Sequence, residues 1–97
     1  MVLSVRPGMK KSREEILKRL VEMQYTRNDI EFVRGNFRVK GDIVDIFPAD
    51  NSEEAIRLEF FGDEIDRVCL IDGMTGKVNA VSKHEFIYPK SHYVIPR

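Results

Sequence analysis

Between Ser12 and Met23 the apolar side chains Ile16, Leu17, Leu20, Val21 and Met23 recur at helical spacing, with Arg13, Glu14, Lys18, Arg19 and Glu22 left for the wet side. A period of about 3.6 predicts an amphipathic helix that covers a core. Its start is marked twice. Pro7-Gly8 breaks the chain, and Ser12-Arg-Glu-Glu15 has the spacing of a capping box, in which the serine hydroxyl and the glutamate satisfy each other's backbone amides.

After Tyr25 the period drops to about 2. Ile30 and Phe32 alternate with Glu31, and Phe37 and Val39 alternate with Arg38 and Lys40, with Arg34-Gly-Asn36 between the two runs. Two antiparallel strands joined by a tight turn are expected there. Gly41-Asp42 then reads as a bulge, because beyond it the apolar pattern slips onto Ile43, Val44, Ile46 and Phe47 before Pro48 stops the pairing. Following a turn over Ala49 to Glu54, Ile56, Leu58 and Phe60 share one face of a third strand, and Arg57, Glu59 and Phe61 share the other. Gly62-Asp63 turns the chain into a fourth strand over Ile65 to Ile71. Asp72-Gly-Met-Thr-Gly76 is another turn, and Val78 to Val81 and Phe86 to Tyr88 supply the last strand pieces. One helix ahead of a meander gives an α+β fold, an N-terminal helix packed on a mostly antiparallel β-sheet built of hairpins.

The totals sharpen this outline. A chain of 97 residues, 42% hydrophobic and 33% charged, has room for a single domain over 1–97 with one core. No apolar run is long enough to cross a bilayer, and the first residues lack the charged and apolar regions of a signal peptide, so a cytoplasmic location is expected. The one cysteine, Cys69, lies in the apolar run Val68-Cys-Leu-Ile71 and reads as a buried thiol. Sixteen basic and sixteen acidic groups cancel, which speaks against a stand-alone nucleic-acid binder. The signs are nonetheless segregated: residues 1–27 carry a net +4, 28–50 a net −2, 51–76 a net −5 and 77–97 a net +3. A mixed-charge contact with another protein suits that distribution.

Chemistry is sparse. His84, His92 and Cys69 do not supply the clustered spacing of a zinc site, so no metal is expected. Asp63-Glu-Ile-Asp66 lacks the ladder of a calcium loop and reads as a solvated turn. The glycines are scattered over turns and form no phosphate-binding loop, and no serine sits in a nucleophile elbow. What stands out is the outward side of the strands. Arg38 and Lys40 project opposite Phe37 and Val39, and Arg57 and Glu59 project opposite Ile56, Leu58 and Phe60. The plain account of these four is a solvated face with cross-strand ion pairs worth about 0.2–1 kcal/mol each. Arg27 likewise reads as a cation at the helix C-terminus. Phe61, a large ring on the polar side, either meets a second packing layer or anchors a partner. Two rival functions are nucleic-acid binding through Lys10, Lys11, Arg13, Lys18 and Arg19, and an enzyme with a dispersed site around His84 or His92.

Four ordered blocks carry a family resemblance. Tyr25-Thr-Arg-Asn-Asp-Ile-Glu-Phe, Arg34-Gly-Asn-Phe-Arg-Val-Lys-Gly-Asp-Ile-Val-Asp-Ile-Phe-Pro48, Arg57-Leu-Glu-Phe-Phe-Gly-Asp-Glu-Ile-Asp-Arg67 and Ile87-Tyr-Pro-Lys-Ser-His-Tyr93 resemble the second domain of the UvrB family of bacterial nucleotide excision repair. The likeness runs from about Val5 to Tyr93. A related domain in the transcription-repair coupling factor shares the Gly-x-Phe-x-Val-x-Gly and Glu-Phe-Phe-Gly-Asp-Glu-Ile patterns, but Arg27-Asn28-Asp29 and Gly41-Asp42 favour UvrB. The resemblance implies an excised, non-catalytic domain that docks onto UvrA, the damage sensor that loads UvrB on DNA, with DNA reached only through the full complex. It places the partner contacts at Arg27, Arg38, Lys40, Arg57 and Glu59. The family more often has arginine where Lys40 stands, and lysine keeps the charge but loses the planar fork. The ATP-binding motifs of the parent are absent, so ATP is a cofactor of the parent and none is expected in this piece.

Overall fold

The structure, a computed structural model, describes residues 1–50 and 52–90. The chain runs β1 (Leu3–Val5), α1 (Arg13–Glu22), β2 (Thr26–Arg27), β3 (Asn36–Lys40), β4 (Ile43–Ile46), β5 (Glu54–Phe61), β6 (Glu64–Asp72), β7 (Val78–Ser82) and β8 (Glu85–Ile87). Six strands form one sheet in the order β2-β3-β4-β5-β6-β7, antiparallel except for β2 beside β3, and β1 pairs antiparallel with β8. The class is α+β, with the strands mostly antiparallel. Among the described residues no helix is long and apolar enough to cross a membrane.

Local chemistry explains the helix ends. Ser12 Oγ accepts the amide of Glu15 at 3.2 Å, and Glu15 Oε1 accepts the amide of Ser12 at 2.9 Å, so the capping box closes in both directions. At the other end Tyr25 N–H donates to the Leu20 carbonyl and Gln24 N–H to that of Val21, the paired bonds of a Schellman turn. Gln24 takes the left-handed position of that turn, at φ 73°. Ile16, Leu20 and Met23 are buried, whereas Val21, turned about 100° round the helix from Leu20, is exposed.

Ile56, Leu58 and Phe60 of β5 are buried in one cluster with Ile16 and Leu20 of α1, Phe37, Val44 and Ile46 of the neighbouring strands, and Leu3, Val5 and Ile87 of the β1–β8 pair. The alternation along β5 therefore reads as expected. The opposite face holds a smaller apolar cluster of Phe47, Ala55, Cys69 and Ile71, with Phe32 packed against it. Cys69 is a buried free thiol, as expected, with a pKa pushed up by that burial. A Cβ built on Gly73 would stand 2.6 and 2.7 Å from carbons of the Phe47 ring, so the turn after β6 closes over this cluster only because residue 73 has no side chain.

Four expectations change. Ile30 to Phe32 form no strand: the Asn28 side-chain oxygen accepts the amides of Ile30 and Glu31, an Asx turn that takes the backbone out of ladder geometry and leaves Ile30 98% exposed. The strand that neighbours β3 is Thr26–Arg27, and it is parallel, so Arg34-Gly-Asn36 joins no antiparallel pair. Gly41-Asp42 is the two-residue hairpin turn between Lys40 and Ile43, with Gly41 at φ 59°, and the register shifts lie elsewhere, at Glu59/Phe60 and Leu70/Ile71. Gly62-Asp63 is built the same way, between Phe61 and Glu64, with Gly62 at φ 63°. Finally, Leu3–Val5 forms a strand against residues 85–87 that the periodicity near the N-terminus did not indicate.

Candidate docking face

The strand register brings three charged residues into one row. Arg38 on β3 lies opposite Asp45 on β4, and Asp45 lies opposite Arg57 on β5. Asp45 is only 3% exposed, and its carboxylate is filled from both sides. Arg57 donates from Nε to Oδ1 at 2.8 Å and from Nη2 to Oδ2 at 3.1 Å, and Arg38 donates from Nε to Oδ2 at 3.0 Å. These bonds hold the Arg57 pKa above its already high ordinary value, the Asp45 hydrogen bond being the main cause. The Arg38 guanidinium also lies over the Phe32 ring, 4.1 Å from its centroid, and Phe32 packs on Phe47 with centroids 5.4 Å apart. The loop between β2 and β3 thus props Arg38 from one side while Asp45 holds it from the other.

A second row lies beside the first. Lys40 pairs in register with Ile43, and Ile43 with Glu59. Lys40 is exposed, and among the described residues no carboxylate lies within ion-pair distance of it. Glu59 Oε2 is 3.8 Å from Arg67 Nη1, its cross-strand neighbour. Arg27 belongs to β2 and not to the helix end, so a helix-terminal role for it falls away. Its guanidinium donates to both oxygens of Asp29, at 3.0 to 3.4 Å, and Asp29 Oδ1 also accepts the Val39 amide at 3.1 Å. The Arg27 hydrogen bond, followed by that amide, lowers the Asp29 pKa.

Between these rows opens a groove of about 710 Å³ lined by Asp29, Arg38, Val39, Lys40, Ile43, Asp45 and Arg57. Three of the five residues singled out in the sequence, Arg38, Lys40 and Arg57, line it directly. Arg27 reaches it through Asp29, and Glu59 stands in the next register position beyond Ile43. Asp45, Asp29 and Phe32 were not singled out as site residues. A lone acid inside the apolar run Ile43-Val-Asp-Ile46 was the available signal, but its neighbours become visible only once the register is known. Phe61 is 81% exposed at the tip of the β5–β6 hairpin and meets no second packing layer.

The rival sites are thinner. Of the basic residues near the helix, Arg13 donates to the Gly41 carbonyl and pairs with Glu14, Lys10 pairs with Glu64, and Arg19 donates to the Val2 carbonyl. His84 is hydrogen-bonded through Nε2 to Ser4 Oγ and lies against Phe86. His92 lies outside the described residues, and among those described no group of three metal-ligating side chains converges. A second groove of about 600 Å³, lined by Met1, Val2, Ala49, Asp50, Tyr88 and Pro89, gathers no set of polar groups suited to catalysis.

Comparison with known proteins places the chain in a family. The family described as the UvrB interaction domain matches residues 3–93. The chain is 57% identical over 97 residues to the UvrABC system protein B of Caldanaerobacter subterraneus, covering 100% of this chain and 15% of that protein. It is 57% identical over 93 residues to that of Clostridium botulinum strain Loch Maree, covering 96% and 14%, and 55% identical over 94 residues to that of Caldicellulosiruptor saccharolyticus, covering 97% and 14%. The chain thus spans about one-seventh of the length of these relatives. With the match extending from β1 through β8, the chain belongs to the UvrB interaction domain family.

Proposed function

We propose that this chain is the module through which a UvrB protein docks onto UvrA during damage recognition in bacterial nucleotide excision repair. The observation that carries the reading is the Arg38–Asp45–Arg57 cluster, two cations sharing one buried anion beside an open groove with Lys40 at its rim. Arg27, Arg38, Lys40 and Arg57 meet acidic groups of UvrA, and Glu59 meets a basic one. Such charges set orientation and encounter rate. Residues 1–97 act as one interaction unit, with α1 as the cover of the inner sheet face. The unit binds no cofactor and catalyses no reaction, ATP belongs to the larger parent protein in the cytoplasm, and DNA is reached through the full complex.

Lys40→Glu is the cleanest probe, because it reverses a charge that no neighbour among the described residues uses. It is expected to weaken UvrA binding about tenfold, equivalent to about 1.4 kcal/mol, with the thermal midpoint unchanged. Titration of immobilised UvrA with the wild-type and variant chains measures this. Equal affinities would remove the face from consideration, and binding to labelled DNA that weakens steeply with salt would favour a nucleic-acid module instead.

A further inference from the structure

The two arginines of the central row present a physical problem that the fold has to solve. They stand on β3 and β5 with β4 between them, so their backbones are about 10 Å apart at the usual strand spacing of about 4.8 Å. Both side chains are long and rotamer-rich, and like charges would drive their heads apart. The residue between them is Asp45. Both of its oxygens are used, and it draws the two guanidiniums toward one point.

The donors that Asp45 leaves unused matter as much as those it takes. Arg38 spends only Nε on Asp45, so both of its Nη groups are without a hydrogen-bonded partner among the described residues, and Arg57 keeps Nη1. Nη2 of Arg38 and Nη2 of Arg57 both border Gly76, at 3.6 and 3.8 Å from where a Cβ would stand. The two heads therefore converge at the turn after β6, and the absence of a side chain at residue 76 leaves space above them. Two cations on one anion retain a net positive charge. Resting on the docking reading above, we propose that Asp45 is the positioning residue of this face. It holds Arg38 and Arg57 from beneath, so that their remaining Nη donors are offered together to carboxylates of an acidic segment of UvrA. Phe32 completes the clamp by stacking on Arg38.

The advantage is preorganisation. Freezing a flexible side chain at an interface costs binding energy, and a side chain already frozen in the free protein avoids that cost. Asp45 is 3% exposed and lies between the two guanidiniums, so its removal acts chiefly through the arginines. Asp45→Asn keeps the shape, removes the charge, and is expected to weaken UvrA binding about tenfold on the basis of two arginines released. In the Arg38→Gln background the same substitution is expected to cost much less, since part of what it positions is already gone, whereas the Lys40→Glu loss stays whole in the Asp45→Asn background.

The test combines UvrA titration of these variants with nitrogen-15 relaxation of the arginine Nε–H groups in the wild-type chain. Support requires that Arg38 and Arg57 Nε relax like backbone amides while the exposed Arg67 does not, and that folded Asp45→Asn binds UvrA more weakly, with coupling to Arg38. Undiminished affinity in folded Asp45→Asn, or full additivity with Arg38→Gln, overturns the proposal. Freely moving Arg38 and Arg57 heads in the wild type overturn it even if the variant does not fold. Failure of the wild-type chain itself to bind UvrA is a different result, one that removes the docking reading on which the proposal stands.

Discussion

Leu58→Ala is expected to lower the unfolding free energy by about 2–5 kcal/mol. Leu58 is fully buried at the middle of β5, in a register row that runs Val39, Val44, Leu58, Val68 across four strands. It belongs to the cluster that includes Ile16 and Leu20 of the helix, so the void left by truncation borders two layers. Domains of this size have a total stability of about 5–15 kcal/mol, which makes the loss a large fraction of the whole. Urea unfolding followed by circular dichroism measures it, with the slope against denaturant unchanged. Phe61→Ala is the matched control, because Phe61 lies on the same strand but is 81% exposed, and its removal is expected to change stability by less than about 0.5 kcal/mol. Similar losses from the two substitutions would contradict the assignment of the inner face.

Arg57→Glu is expected to damage both stability and binding. It removes two charge-assisted hydrogen bonds to Asp45 and puts a second carboxylate beside one that is 3% exposed. Arg38 still offers one bond, and Arg57 itself is partly open to solvent, so a loss of about 1.5–3 kcal/mol is expected, with UvrA binding abolished. The pH dependence gives this variant a signature. Two carboxylates in one site force one of them to keep its proton to higher pH than in the unfolded chain. The native state then binds more protons than the unfolded one, so the variant gains stability as pH falls from neutral toward the ordinary carboxylate range. The wild-type chain follows the opposite rule. Asp29, held down chiefly by the Arg27 hydrogen bond, and Asp72, held down by the amides of Thr75 and Met74, stabilise the fold above the ordinary carboxylate range, and that contribution disappears as pH falls through their lowered values. Melting curves of the variant and the wild type at several pH values separate the two behaviours, and a variant that gains no stability relative to the wild type between neutral pH and the ordinary carboxylate range would contradict the shared carboxylate site.

Features encoded within a few residues were legible in the sequence. Ser12 and Glu15 cap the helix through each other, Gly62-Asp63 makes its turn from its own two residues, and the β5 alternation needs only the pleat. Gly41-Asp42 is the same dipeptide in the same kind of turn, yet it reads as a bulge because the apolar pattern slips onto Ile43, Val44, Ile46 and Phe47 beyond it, and the Ile30 to Phe32 run reads as a strand. The alternation there is real, but Asn28 spends its side chain on the amides of Ile30 and Glu31, and local hydrogen bonding of that kind outweighs a short apolar rhythm. The pairing of Leu3–Val5 with Glu85–Ile87 joins opposite ends of the described chain, and three residues carry too little pattern to announce it. The charged face was legible as a set of outward charges on alternating positions. What could not be read was which charges touch. Asp45 emerges as the centre of the face only when β4 is placed between β3 and β5, and Arg27 becomes the partner of Asp29 only when residues 26 and 27 are a strand.

The most direct test is nuclear magnetic resonance mapping of the isotope-labelled chain titrated with UvrA. The expected result is loss or displacement of signals at Arg27, Arg38, Lys40, Arg57 and Glu59 and along the groove between β3 and β5, with the outer side of α1 and the β1–β8 pair unaffected. Changes confined to α1 or to β1–β8, with the Arg38–Asp45–Arg57 row unmoved, would contradict it.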